Sequence, residues 1–342
     1  MGTTANNRTL KELGEAGIIQ LIHGKVPPEL PIYLKKGIGD DCAVLETPED
    51  RVLLVTTDTL IEGIHFTAQT LSPEALGWKT LAVNISDIAA MGGTPRTAFL
   101  SIGIQAGARV SFLESFMAGF KALADKLGII LAGGDTVESP TSTVITVTLL
   151  GDCLPEHVVY RSGARVGDDV WVTGPVGSAA GGLFLLQTKE VAPPSGYESL
   201  IRAHQKPMPP LDAGIALGRG GLAHSMIDIS DGIAKDLGHI CEQSGVGAVL
   251  WAACIPMSSH LLRLAAESER KALQWALHGG EDYELLFTAL PADKEEIQSL
   301  TAKASNTPAT NIGTIIPQEG IWLETKKGRE RVESSGYLHF FV

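Results

Sequence analysis

Residues Gly37 to Asp58 read GIGDDCAVLETPEDRVLLVTTD. Two strand-like runs, around Cys42 to Glu46 and Val52 to Thr57, flank a TPED turn. The paired carboxylates Asp40 and Asp41 precede the first run, and Thr56, Thr57 and Asp58 close the second. Hard oxygen ligands could thus converge at one end of a small sheet, a donor set that favours magnesium or calcium. Alone, Gly-Asp-Asp is an ordinary turn and Thr-Asp an ordinary strand end. Recurrence of such pieces along the chain changes that reading.

Upstream, Thr9 to His23 has helical apolar spacing and ends at Gly24. Downstream, Ser72-Pro73-Glu74 predicts a helix start: an N-cap serine, proline at the first position and an acid facing the dipole. That helix should run to Met91 with Trp78, Leu81, Ile85, Ile88 and Ala89 as its core face, while Asn84 and Asp87 share another face. A strand at Arg96 to Ile104, a helix at Ser111 to Leu127, a short buried strand at Ile129 to Ala132 and a long strand at Thr143 to Cys153 follow. Between the last two strands, the loop LAGGDTVESP carries Gly134 and Asp135. The pattern changes after Cys153, which predicts two domains, 1–153 and 154–342.

In the second half, GPVGSAAGG (174–182) is a glycine-rich strand-to-helix turn that matches neither a Walker A loop nor GxGxxG. The stretch SMIDISDGIAKDLGHI ends a short strand in Asp228, Ser230 and Asp231 at a helix start. Near the end, HGGEDYELLFT places Glu281 directly after a glycine pair.

At 342 residues the chain exceeds the size of most single cores. Its hydrophobic content of 44% and charged content of 19% fit a soluble globular protein. The formal charge of −12, without a lysine or arginine run, argues against a nucleic-acid partner. Four scattered cysteines with no CxxC pair suggest neither a zinc site nor a disulfide framework. No leader-like segment and no apolar run of membrane-spanning length occurs, so a cytoplasmic location without a membrane partner is expected.

Asp40, Asp41, Asp58, Asp87, Asp135, Asp228 and Asp231 mostly stand beside glycine, serine or threonine at strand ends. Carboxylates gathered in one cleft repel unless divalent ions neutralise them, so convergence implies several magnesium ions. Magnesium in turn bridges substrate phosphates, and phosphoryl transfer is catalysed mainly by positioning and charge neutralisation. No DxDxT order, protein-kinase signature or Ser-His-Asp set competes with that reading.

The motifs GIGDDCAVL, TTDTLIEGIHF, AVNISDIAAMG, LAGGDT, RSGARVGDD, IDISDGIAKDLGHI, GGEDYEL and the terminal GYLHF, in this order, resemble the thiamine-monophosphate kinase family of the aminoimidazole-ribonucleotide synthetase-like superfamily. The resemblance implies an α/β (α+β) fold of two domains. Its N-terminal sheets join in a dimeric β-barrel, and its C-terminal domain is a mixed α/β sandwich. It implies direct transfer of the γ-phosphate of ATP to thiamine monophosphate in a homodimer, with the site between the domains. By motif, Asp41, Thr56, Thr57, Asp58, Asp87, Asp135 and Asp228 would surround magnesium, with Asp231 holding a further ion and Asp40 behind them. Gly134, Asp135, Arg161 and Ser230 would meet ATP, and His65, Glu281 and Tyr337 the thiamine moiety. An amidine-forming synthetase of the same superfamily and a non-catalytic metal-binding protein are the alternatives. A selenophosphate synthetase is disfavoured, since no cysteine precedes Cys42, and an EF-hand spacing is absent.

Overall fold

The computed structural model describes residues 34–36, 40–47, 50–188, 195–305 and 308–333. The expected helix at Thr9 to His23 and Tyr337 lie outside these residues. The first part of the chain builds β1 (Leu34–Lys36), β2 (Ala43–Glu46), β3 (Val52–Ile61), α1 (Pro73–Ala90), β4 (Thr94–Ile104), α2 (Val110–Leu127), β5 (Ile130–Glu138) and β6 (Val144–Cys153). The sheet order is β1-β2-β3-β6-β4-β5, and only the β4-β5 pair, joined through α2, is parallel.

One face of this sheet is covered by helices. Strand β6 alternates half-buried and buried residues along its length, putting Ile145, Val147 and Leu149 beneath the helical layer. Helix α1 starts as expected: the Ser72 hydroxyl accepts from the Ala75 N–H at 3.2 Å. It packs against α2 at a distance only glycine permits. A Cβ at Gly77 would lie 1.9 Å from the Phe116 carbonyl oxygen, and one at Gly119 would lie 1.8 Å from that of Glu74. Helix α1 is also buried nearly all round, including Lys79, Asn84 and Ser86, so the two-faced pattern expected for it is replaced by a central helix.

The other sheet face is open among the described residues. Of the stretch Ile129 to Ala132, expected as a short buried strand before a loop, Ile129 is buried but the rest belongs to the nine-residue edge strand β5, which is exposed throughout. Local apolar content could not reveal that no described strand pairs beyond it. Ile130 is 65% exposed, Val137 54% and Phe99 on β4 39%, an apolar surface continuing along an unpaired edge. The described strands form an open sheet rather than a closed barrel.

The second part comprises β7 (Asp169–Val172), α3 (Ser178–Gln187), α4 (Glu198–Gln205), α5 (Leu211–Gly220), β8 (Ser225–Asp228), α6 (Ile233–Ser244), β9 (Gly247–Trp251), α7 (Ser259–Glu267), α8 (Ala272–His278), β10 (Leu285–Ala289), α9 (Lys294–Ser305), β11 (Thr310–Ile316), β12 (Gly320–Thr325) and β13 (Gly328–Val332). These strands form a mixed sheet, β13-β12-β9-β11-β7-β10-β8, parallel only at β12-β9. Sheet membership changes between Cys153 and Asp169. The core nevertheless runs on across that change, because Trp171, Leu211, Leu285 and Phe287 join the apolar cluster of Ile85 and Ile88. A Cβ on Gly214 of α5 would sit 2.2 Å from the Ala89 carbonyl oxygen of α1, so α1 is wedged between both sheets. No described helix is long and apolar enough to cross a membrane.

Candidate active site

Helix α1 brings the acids together. It places Asp87 beside the end of β8 on one side and the middle of β3 on the other. Asp41, Asp87 and Asp228 each offer an oxygen, and these oxygens lie within 4.8 Å of one another. The Thr56 hydroxyl donates to Asp87, and the Ser86 hydroxyl donates to Asp228 at 2.7 Å. Arg161 binds Asp41 with two parallel hydrogen bonds, 2.9 Å from Nε and 2.7 Å from Nη2. The Arg161 backbone N–H donates to Asp40 at 3.3 Å, and Lys36 lies 3.2 Å from the same carboxylate. Asp40 therefore sits beside Asp41, held by Arg161 and Lys36.

So much buried negative charge is poorly compensated among the described residues. Burial, with Asp41 adding to it and a hydrogen bond to Asp87 opposing, raises the Asp58 pKa to about 6. Burial first, then the neighbouring carboxylates, pushes Asp87 and Asp228 well above the ordinary carboxylate range. One guanidinium, already committed to Asp41, cannot neutralise this set. An all-oxygen cluster of three converging carboxylates with adjacent hydroxyls fits hard divalent cations such as magnesium.

A cavity of about 310 Å³ opens from the cluster. Asp58, Asp87 and Asp228 line one side of it, and Ser230, Asp231 and Glu281 line another. His65 also faces this space, and its Nδ1 accepts from the Ile61 N–H at 3.0 Å, which puts the proton of the neutral ring on Nε2. The loop carrying Glu281 is tightly folded against the Asp228 loop. Glu281 has φ +60° and donates its N–H to the Ser230 carbonyl at 2.8 Å, and a Cβ on Gly280 would meet that carbonyl at 2.5 Å.

Not every candidate meets here. Thr57 points to the open sheet face, where its hydroxyl pairs with Thr148 at 3.0 Å. Gly134 and Asp135 sit on the β5 edge. The row Asp58–Val147–Leu100–Gly134 crosses three strand spacings, about 14 Å, so one chain does not bring Asp135 to Asp58. The glycine-rich turn is also no open anion site: the Gly177 and Ala179 N–H groups at the start of α3 donate to the Asp282 carboxylate. Sequence reasoning missed Lys79 and His204, which contact Glu281. A lysine next to Trp78 on the expected core face of the helix was the available signal for the first.

Residues 39–153 match the N-terminal domain model of the AIR synthase related proteins, and residues 165–325 match the corresponding C-terminal domain model. The thiamine-monophosphate kinase of Escherichia coli K12 is 39% identical over 306 residues, spanning 89% of this chain and 91% of that protein. That of Aquifex aeolicus is 36% identical over 332 residues, 97% of this chain and 99% of that protein. The AaThiL complex with AMPPCP and TMP superposes with a TM-score of 0.87 at 33% identity, covering 98% of this chain and 100% of that one. Two domain matches in order and identities above one third over nearly the whole length place the chain in the thiamine-monophosphate kinase family of AIR synthase related proteins.

Proposed function

We propose that this chain transfers the γ-phosphate of ATP directly to the phosphate of thiamine monophosphate, giving thiamine diphosphate and ADP. The observation that carries this reading is the convergence of Asp41, Asp87 and Asp228 beside a cavity whose other wall carries Glu281. Magnesium held there would neutralise the phosphates and align donor with acceptor. The chain's own part is to hold and orient. Asp41, Thr56, Asp58, Asp87 and Asp228 form the cation cradle, with Asp231 at the α6 start serving a further ion. Arg161 fixes Asp41 and lies near the triphosphate with Ser230. His65 and Glu281 face the thiamine moiety, where a carboxylate suits a cationic heterocycle, and Tyr337 is assigned there too.

We also propose a homodimer. The exposed apolar strip of β4 and β5 along an unpaired edge is what a second copy would cover, completing a barrel from two sheets. Thr57, Gly134 and Asp135 lie on that side, and their assignment to metal and nucleotide requires the second copy or the triphosphate to bridge the three strands. The location is the cytoplasm, where ATP is available.

Thiamine diphosphate and ADP measured together in one incubation test the activity. Equal amounts of the two are expected. ADP released without thiamine diphosphate, or no turnover, would instead favour an amidine-forming relative. Sedimentation at twice the 36.1 kDa chain mass would support the dimer.

A further inference from the structure

Glu281 carries more than its place in the cavity wall. Its Oε1 lies 2.7 Å from Lys79 Nζ and its Oε2 lies 3.0 Å from His204 Nδ1. Both partners are 1% exposed, whereas the Glu281 side chain is 28% exposed toward the cavity. Burial works against the carboxylate, but the Lys79 charge and the His204 hydrogen bond win and hold its pKa at about 2. Burial, and then the same Lys79 charge, pushes His204 down, so the imidazole is neutral, with Nδ1 facing the glutamate oxygen at 3.0 Å. Each glutamate oxygen has one buried nitrogen within 3.0 Å, and among the described residues neither nitrogen has a hydrogen bond that would draw it elsewhere.

A carboxylate has about four lone-pair positions, so roughly half remain for the cavity. We propose that Lys79 and His204 are positioning residues: they hold the Glu281 carboxylate so that its remaining lone pairs present a fixed acceptor edge to a hydrogen-bond donor on the organic part of the substrate. This rests on the placement of Glu281 at the thiamine moiety in the function proposed above. Helix α1 makes the arrangement a ruler. Lys79 and Asp87 are eight residues apart on it, about 12 Å along its axis, so one rigid element sets the distance between the cation cradle and the acceptor edge. A mere tie between α1 and the Gly279–Tyr283 loop would need no exposed carboxylate edge.

Steady-state kinetics on purified, folded variants separates these readings. Lys79→Met and His204→Leu should each raise the KM for thiamine monophosphate about tenfold to a hundredfold, the range for losing a hydrogen bond to a charged group. The KM for ATP should stay within about twofold. His204→Asn, which keeps a donor near Nδ1, should restore most of the loss seen in His204→Leu. If Lys79→Met proves too unstable to assay, Lys79→Met combined with Glu281→Gln removes the unpaired charge and should keep the raised KM of Glu281→Gln alone. Should Glu281→Gln raise only the thiamine monophosphate KM while Lys79→Met and His204→Leu leave it unchanged, the positioning role is overturned and the placement of Glu281 survives. Equal effects of Glu281→Gln on both substrates would overturn the placement, and the positioning role with it.

Discussion

The cavity holds carboxylates under opposite regimes. At one end Asp58, Asp87 and Asp228 face each other with too little positive charge, and their pKa values rise, Asp58 to about 6. At the other end Glu281 is paired with a buried lysine and is held at about 2. Burial pushes the pKa upward at both ends, so burial alone does not distinguish them. What differs is whether the chain supplies the counter-charge. The first end lacks a counter-charge among the described residues, as the proposed cation cradle requires, whereas the second has its cation folded in.

The contrast breaks first at Asp87. Asp87→Asn removes a cradle charge and should lower kcat by about a thousandfold or more, several kcal/mol of charge stabilisation. The metal-free variant should nevertheless melt no lower than the native chain, because a like charge has gone. Normal turnover at ordinary magnesium would remove Asp87 from the cradle.

The other end answers in stability. Lys79→Met strands a half-buried carboxylate and should cost about 2 kcal/mol in chemical denaturation, whereas adding Glu281→Gln should recover most of that. A double variant as unstable as the single would mean that Lys79 acts through packing of its stem.

Acidity sharpens the comparison further. The Asp58 pKa is raised above the unfolded carboxylate value, so the native metal-free protein binds the extra proton between about pH 4 and 6, and stability from this group falls as pH rises through about 6. Metal-free protein should therefore lose melting temperature from pH 5 to 7.5 on account of the cradle. Magnesium should add more melting temperature at pH 7.5 than at pH 5. A magnesium effect independent of pH would contradict the charge-excess account. Glu281, held at about 2 when folded, contributes a slope of opposite sign only toward pH 5, where the unfolded glutamate begins to take up protons.

The smallest expected effect lies at the α3 start. Asp282→Asn weakens the cap on the Gly177 and Ala179 N–H groups and should cost about 1 kcal/mol of stability, with little change in the KM for ATP. A marked rise in that KM would return the glycine-rich turn to the nucleotide.

The legibility of the chain follows the same divide. Asp41, Asp58, Asp87 and Asp228 were readable as candidates because strand and helix ends carry their own local signals, but their gathering in one cleft came only from the family resemblance. The unpaired edge at β5 was not, since LAGGDT looks the same whether or not a neighbouring strand follows it. Lys79 and His204 were invisible for a related reason. Their meaning comes from a glutamate about 200 residues away for Lys79 and 77 away for His204, and only the wedging of α1 between the sheets brings them together. The Asp282 cap on α3 is another long-range pairing, and it explains why a phosphate-loop-like turn binds its own chain.

The most direct test is thiamine diphosphate formation from ATP and thiamine monophosphate followed across a magnesium titration that starts from fully chelated protein. No product at zero magnesium, with a rise that Asp87→Asn abolishes, is the predicted result. Product at the full rate in the presence of chelator would contradict a cradle that depends on an external cation.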